Sequence, residues 1–155
     1  MAKAPVVIEL DVTDAKQLSR AVKALAKECH IIKAAHDYVG VPEWRTRAGD
    51  YAGLARIIAY QQLSTKAAGT IWGRVEVLLG KVTPKAVLAA DIDALRACGM
   101  SRPKIAHIRS IAEAVETGTL NLRRVARKSD DEARQELTAV KGIGPWTADV
   151  YLMFC

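Results

Sequence analysis

From Asp14 onward the apolar residues fall three or four positions apart, in stretches separated by glycine, proline and capping residues. That is the pattern of amphipathic helices. Leu18, Val22, Leu25, Cys29 and Ile32 recur at this spacing with lysine and arginine between them, predicting one long helix or two short ones ending near Tyr38. Val39-Gly40-Val41-Pro42 is a breaker. Tyr51 to Gln62 predicts a helix with Leu54, Ile57, Ile58 and Gln61 on one broad face. Ser64 caps the next, which carries Ala67, Ala68, Ile71, Val75 and Leu78 to a stop at Gly80. Thr83-Pro84 sets a cap before a proline suited to the first helical position and opens a short helix to Ala90, and Asp91 opens another ending at Gly99.

Ser101-Arg102-Pro103-Lys104 starts a helix with Ile105, Ile108, Ile111, Ala112 and Val115 as its core stripe and Gly118 as its stop. After a short basic piece, Leu120 to Arg127, Ser129 and Glu132 have the capping-box spacing, and the acidic first turn suits the helix dipole. This helix leads into Val140-Lys141-Gly142-Ile143-Gly144-Pro145, and an apolar helix begins at Pro145. Val6-Val7-Ile8 is β-like but has no recognisable partner strand, so residues 1–12 are expected as an extended arm. The fold class predicted is all-α: one compact multi-helix domain over residues 1–155, closed by a helix, a glycine hairpin and a helix.

Composition bounds the chemistry. A chain of 155 residues can bury a real core. Lysine and arginine number 23 against 17 acids, a formal charge of +6 and a pI near 9.4. A polyanion partner fits that excess, which alone shifts the odds only modestly. Cys29, Cys98 and Cys155 are odd in number and lack CxxC spacing, which reads as reduced thiols of a cytosolic protein, without a disulfide framework or zinc site. No window of about 18 apolar residues occurs, so neither secretion nor membrane insertion is expected.

The hairpin is the candidate site. Gly142 and Gly144 flank one apolar residue, so the backbone can turn sharply and expose N–H groups where no side chain blocks an anion. The helix starting at Pro145 aims its free N–H groups and positive dipole end at the same place. DNA phosphate is the leading anion; an ordinary tight turn is the alternative.

Gly142-Ile143-Gly144-Pro145-Trp146-Thr147-Ala148 resembles the helix-hairpin-helix of the DNA glycosylase superfamily, in the wording of its 3-methyladenine DNA glycosylase II branch. Ile57-Ile58-Ala59-Tyr60-Gln61-Gln62-Leu63-Ser64-Thr65-Lys66-Ala67-Ala68 resembles a second signature of that branch. Leu95-Arg96-Ala97-Cys98-Gly99-Met100-Ser101-Arg102-Pro103-Lys104-Ile105 resembles a third. The three stand in the family's order, and the resemblance runs from about residue 40 to the end of the chain. It implies an enzyme that binds duplex DNA, extrudes a damaged base and hydrolyses its N-glycosidic bond. By the match, the N–H groups near Gly142 and Gly144, with the Thr147 hydroxyl, hold a phosphate beside the lesion. The resemblance also implies a monovalent cation on the carbonyls of Thr138, Val140 and Ile143, and no required cofactor.

Trp146 stands where related strand-nicking glycosylases carry a lysine nucleophile. Tryptophan cannot form an imine, so the implied enzyme is monofunctional. Its ring also suits the positive charge of N-alkylated purines, with packing of the hairpin as the alternative. Gln62 falls at the family's wedge position, where a side chain fills the gap left by the extruded base. Trp44 and Tyr151 are further candidates for the base pocket or for ordinary core, and Arg45, Arg47, Arg102 and Lys104 for phosphate contacts. The family's catalytic aspartate lies past the helix that begins at Pro145, whereas this chain stops at Cys155. The sequence therefore reads as truncated, and it contains no catalytic residue to name; Asp149 matches no catalytic position. The expectation is a monomer acting on double-stranded DNA with alkylated bases, in a bacterial-type cytoplasm on nucleoid DNA. A non-catalytic hairpin module and a glycosylase for another damaged base are the alternatives.

Overall fold

The computed structural model describes residues 14–43 and 46–155. The expected arm at residues 1–12, Trp44 and Arg45 lie outside them. The chain divides into two units, Met1–Arg45 and Thr46–Cys155. In the first, α1 (Ala15–Glu28) and α2 (His30–Val39) pack on each other. The choice between one helix and two falls to two, because Cys29 takes an extended backbone (φ −133°, ψ 114°) and serves as C-cap to one helix and N-cap to the next. Asp14 starts α1 by accepting from the N–H groups of Lys16 and Gln17 at 2.7 and 2.8 Å.

The second unit contains α3 (Tyr51–Tyr60), α4 (Thr65–Leu79), α5 (Pro84–Ala89), α6 (Ile92–Ala97), α7 (Arg102–Glu116), α8 (Leu122–Val125), α9 (Asp130–Thr138) and α10 (Pro145–Phe154). Among the described residues every regular element is a helix, as the spacing of apolar positions predicts. The caps are the predicted ones. Ser64, Thr83, Asp91 and Ser101 each accept from the N–H three residues on. Ser129 and Glu132 close a capping box.

Helix α7 runs through the middle of this unit, against α3, α5 and α6, while α3 also touches α4 and α10. Leu54, Ile57 and Ile58 of α3 meet Ile105, Ile108 and Ile111 of α7 in a core completed by Val87, Leu95 and Leu137. Burying one such side chain contributes about 1.5–3 kcal/mol. The Tyr51 hydroxyl donates to the Ile108 carbonyl at 2.9 Å and pins α3 to α7; burial raises its pKa. The core thus fixes α3, α7 and α10, each of which carries part of one resembling motif.

Candidate nucleic-acid interface

Helix α9 ends in a tight turn: Ala139 N–H donates to Gln135, Val140 N–H to Leu137 and Ile143 N–H to Val140, at 3.2, 3.1 and 3.0 Å. Gly142 then adopts φ +99°, a region that side chains rarely tolerate. The space where its Cβ would stand is also taken. It would meet His107 Cβ, Cγ and Cα at 2.7, 2.9 and 3.0 Å. Gly144 is different: its backbone is extended (φ −87°, ψ 170°), and an added Cβ would meet nothing within 4 Å. The first glycine lets the hairpin close against α7; the second keeps the approach to α10 bare.

Among the described residues, the N–H groups of Gly142, Gly144, Trp146 and Thr147 have no acceptor, and Pro145 has no N–H to satisfy. Ala148 is the first residue of α10 to donate back, to the Gly144 carbonyl at 3.0 Å. Free donors thus converge with the positive end of the helix dipole, an arrangement that attracts an anion.

These donors face a cleft of about 590 Å³ lined by Gln61, Gln62, His107, Gly142, Ile143, Gly144, Trp146 and Thr147. Trp146 is 60% exposed there, so it is a surface ring and not core packing. The opposite wall is the turn after α3, which ends two residues before the predicted stop at Gln62. Gln61 leaves the helix (φ −54°, ψ 136°), and Gln62 adopts φ +56°, the only positive φ at a non-glycine among the described residues. Such a conformation costs a side-chain-bearing residue about 1–2 kcal/mol. Gln62, the expected wedge, is exposed on this turn.

Two interactions hold the turn. Gln61 Nε2 donates to Thr147 Oγ1 at 2.9 Å, joining it to the first turn of α10. Lys104 Nζ donates to the carbonyls of Ala59 and Gln61 at 2.8 and 2.7 Å. Desolvation lowers the lysine's pKa. Lys104, read above as a phosphate contact, therefore directs its ammonium inward onto the end of α3. Thr147 is 2% exposed with its hydroxyl engaged by Gln61, so the group it leaves without a partner is its N–H.

The remaining candidates separate. Tyr151 is 4% exposed and away from the cleft; its hydroxyl donates to the Gly49 carbonyl at 2.9 Å, and burial raises its pKa. It is a core residue, because α10 turns that face toward α3. Trp44 lies outside the described residues. Arg47 stacks over the Tyr60 and Phe154 rings at 5.8 Å from each. Asp149 is engaged by Arg134 Nε at 2.7 Å, and among the described residues no carboxylate lines the cleft. Of the carbonyls expected to hold a cation, those of Thr138 and Ile143 accept no hydrogen bond among the described residues and that of Val140 accepts one, from Ile143. Neutral oxygens of this kind suit a hard monovalent ion. His107 was not anticipated from the sequence: it follows Lys104 by three residues, which puts both on one face of α7, but nothing local says that the hairpin lies against that face.

The chain matches the family described as HhH-GPD superfamily base excision DNA repair protein over residues 55–148. DNA-3-methyladenine glycosylase 1 of Schizosaccharomyces pombe is 39% identical over 108 residues, 67% of this chain and 47% of that protein. The chain therefore spans about half the length of the curated relative it matches. Two solved structures are similar. The 3-methyladenine DNA glycosylase of Schizosaccharomyces pombe in complex with abasic DNA aligns with a TM-score of 0.77 at 33% identity, over 87% of this chain and 69% of that one. The DNA-3-methyladenine glycosidase of Bacillus halodurans aligns with a TM-score of 0.72 at 32% identity, over 92% and 64%. With a match that runs from within α3 to the first turn of α10 and takes in both walls of the cleft, the chain belongs to the HhH-GPD superfamily of base excision DNA repair proteins.

Proposed function

We propose that the protein is a monofunctional DNA glycosylase that hydrolyses the N-glycosidic bond of alkylated bases, of the 3-methyladenine type, in duplex DNA. The observation that carries this reading is the cleft, where unpartnered hairpin N–H groups stand beside an exposed tryptophan and across from a strained glutamine turn. The N–H groups of Gly142, Gly144, Trp146 and Thr147 hold a backbone phosphate, a sequence-independent contact that sets register on the duplex. Gln62 enters the stack where a nucleotide leaves it. Trp146 offers its ring to the cationic face of an N-alkylated purine, a contact worth about 2 kcal/mol when desolvated. Carbonyls of Thr138, Val140 and Ile143 would hold a monovalent cation, whose charge would strengthen the phosphate site.

Tryptophan at the hairpin makes no imine, so water is the nucleophile and an abasic site is the product. The acid that stabilises the sugar cation is not among the residues lining the cleft. By the resemblance, the family's aspartate falls past the helix that begins at Pro145. A protein containing this domain is expected to release 3-methyladenine or 7-methylguanine from methylated duplex. Free bases are measured by chromatography and strand breaks by gel, with and without hot alkali. Breaks without alkali, or a borohydride-trapped adduct, would overturn the monofunctional reading. Absence of base release would leave only the DNA-binding module.

A further inference from the structure

A lysine in the first turn of a helix opposes the dipole of that helix, and α7 has no acid in its first turn to offset it. Lys104 occupies that place yet points away from α7, onto the C-terminal end of α3. There it meets an end that lacks the usual device. No glycine follows α3 to take the left-handed turn; Gln62 does so instead. The last carbonyls of a helix need donors from outside it, and the ammonium supplies two charge-assisted bonds, one inside the helix at Ala59 and one beyond its end at Gln61. Bridging those two carbonyls fixes the direction in which the chain leaves α3. The Gln61 side chain, anchored on Thr147, fixes the other side of the same residue.

We infer that Lys104 is a positioning residue that, from α7, holds the Gln61–Gln62 turn in its left-handed form and so aims Gln62 across the cleft at the hairpin. The inference rests on the reading of the cleft as the place where a nucleotide leaves the duplex. Lys104 bonds neither the hairpin donors nor the Trp146 ring, so it reaches the cleft through the Gln61–Gln62 turn. Grip on undamaged DNA and opening of the stack are therefore separable.

The test compares Lys104→Met, Lys104→Arg, Gln62→Ala and the Lys104→Met/Gln62→Ala double variant with the unaltered protein. Backbone amide exchange reads the turn directly. In Lys104→Met, exchange at the Gln61 amide, which donates to the Ile58 carbonyl at 3.3 Å, is expected to rise by about tenfold or more, while the middles of α3 and α7 keep their protection. Duplex containing a tetrahydrofuran abasic analogue beside 2-aminopurine reads the stack by fluorescence. Lys104→Met is expected to lose the fluorescence rise as Gln62→Ala does, and the double variant to lose no more. Affinity of Lys104→Met for undamaged duplex should stay within about twofold. Lys104→Arg, which keeps the charge and donors, should restore part of both signals. Unchanged exchange at Gln61, or a Lys104→Met protein that unstacks the probe normally, overturns the assignment. An unaltered protein that leaves the probe stacked sinks the cleft reading instead, and the exchange data then decide the clamp by themselves.

Discussion

Replacing Gly142 and Gly144 by alanine, one at a time, adds the same methyl group two residues apart with opposite expected results. At Gly142 the methyl meets a backbone at φ +99° and a helix within van der Waals contact. The positive φ costs about 1–2 kcal/mol. Forcing His107 aside adds about 1–3 kcal/mol of overpacking, since its Cβ and Cα at 2.7 and 3.0 Å belong to α7 and cannot swing away as a ring could. The entropy alanine removes from the unfolded chain offsets about 0.4–1 kcal/mol. A net loss of about 1–4.5 kcal/mol remains, on the order of 10 °C in the melting temperature at the middle of that range. At Gly144 the φ is ordinary and nothing lies within 4 Å of the new methyl, so the entropic gain and the weaker N-cap leave stability within about 0.5 kcal/mol of wild type. That methyl nevertheless stands before the free donors, and affinity for duplex DNA should fall by about fivefold or more regardless of sequence. Thermal denaturation by circular dichroism and salt-controlled fluorescence anisotropy measure the two effects. A Gly142→Ala protein melting within about 2 °C of wild type would refute the reasoning. So would rescue of that variant by His107→Ala, which removes the ring but keeps the Cβ in closest contact.

Trp146→Ala removes a side chain already 60% exposed, so the fold should change by less than about 0.5 kcal/mol. Binding to duplex carrying an N-methylated purine, measured against undamaged duplex, should lose most of its preference, and an unchanged ratio would remove the ring from the pocket. Glu136 of α9 takes Arg124 and Lys128 at 2.7 and 2.6 Å with its own side chain 12% exposed. The Arg124 hydrogen bond, then that of Lys128, holds its carboxyl below the usual range. A folded pKa below the unfolded one gives stability that is present above the ordinary carboxylate range of about 4.5 and is lost as pH falls through the folded value. Glu136→Gln should cost about 1 kcal/mol near neutrality and converge with wild type in acid, checked by melting temperature against pH. Parallel curves would exclude the carboxylate as the source.

The helices were legible because their information is local: caps at Ser64, Thr83, Asp91, Ser101 and Ser129 lie beside the backbone groups they bond. The glycine hairpin was legible for the same reason, since a turn of this kind depends on residues in hand. The end of α3 was not. Helical spacing continues through Gln61, and Lys104, 43 residues away, bonds the carbonyls where the helix stops at Tyr60. Two charges and a ring that the sequence left open are decided by the same kind of contact. Lys104 serves a carbonyl, Arg47 lies over aromatic rings and Tyr151 is core, because sequence shows that a side chain can reach but not what lies within its reach. His107 was missed because its function in the site is to fill the place that Gly142 leaves.

The Gln61–Thr147 bond spans 86 positions of chain, whereas the bonds that shape the hairpin span three or four. Contacts between distant segments carry the larger loop-closure cost and set the pace of folding. The hairpin turn itself can therefore form from α9 and α10 by local steps, while the wall that carries Gln62 waits for α3, α7 and α10 to dock. The two walls of the cleft differ in how far along the chain their information is spread.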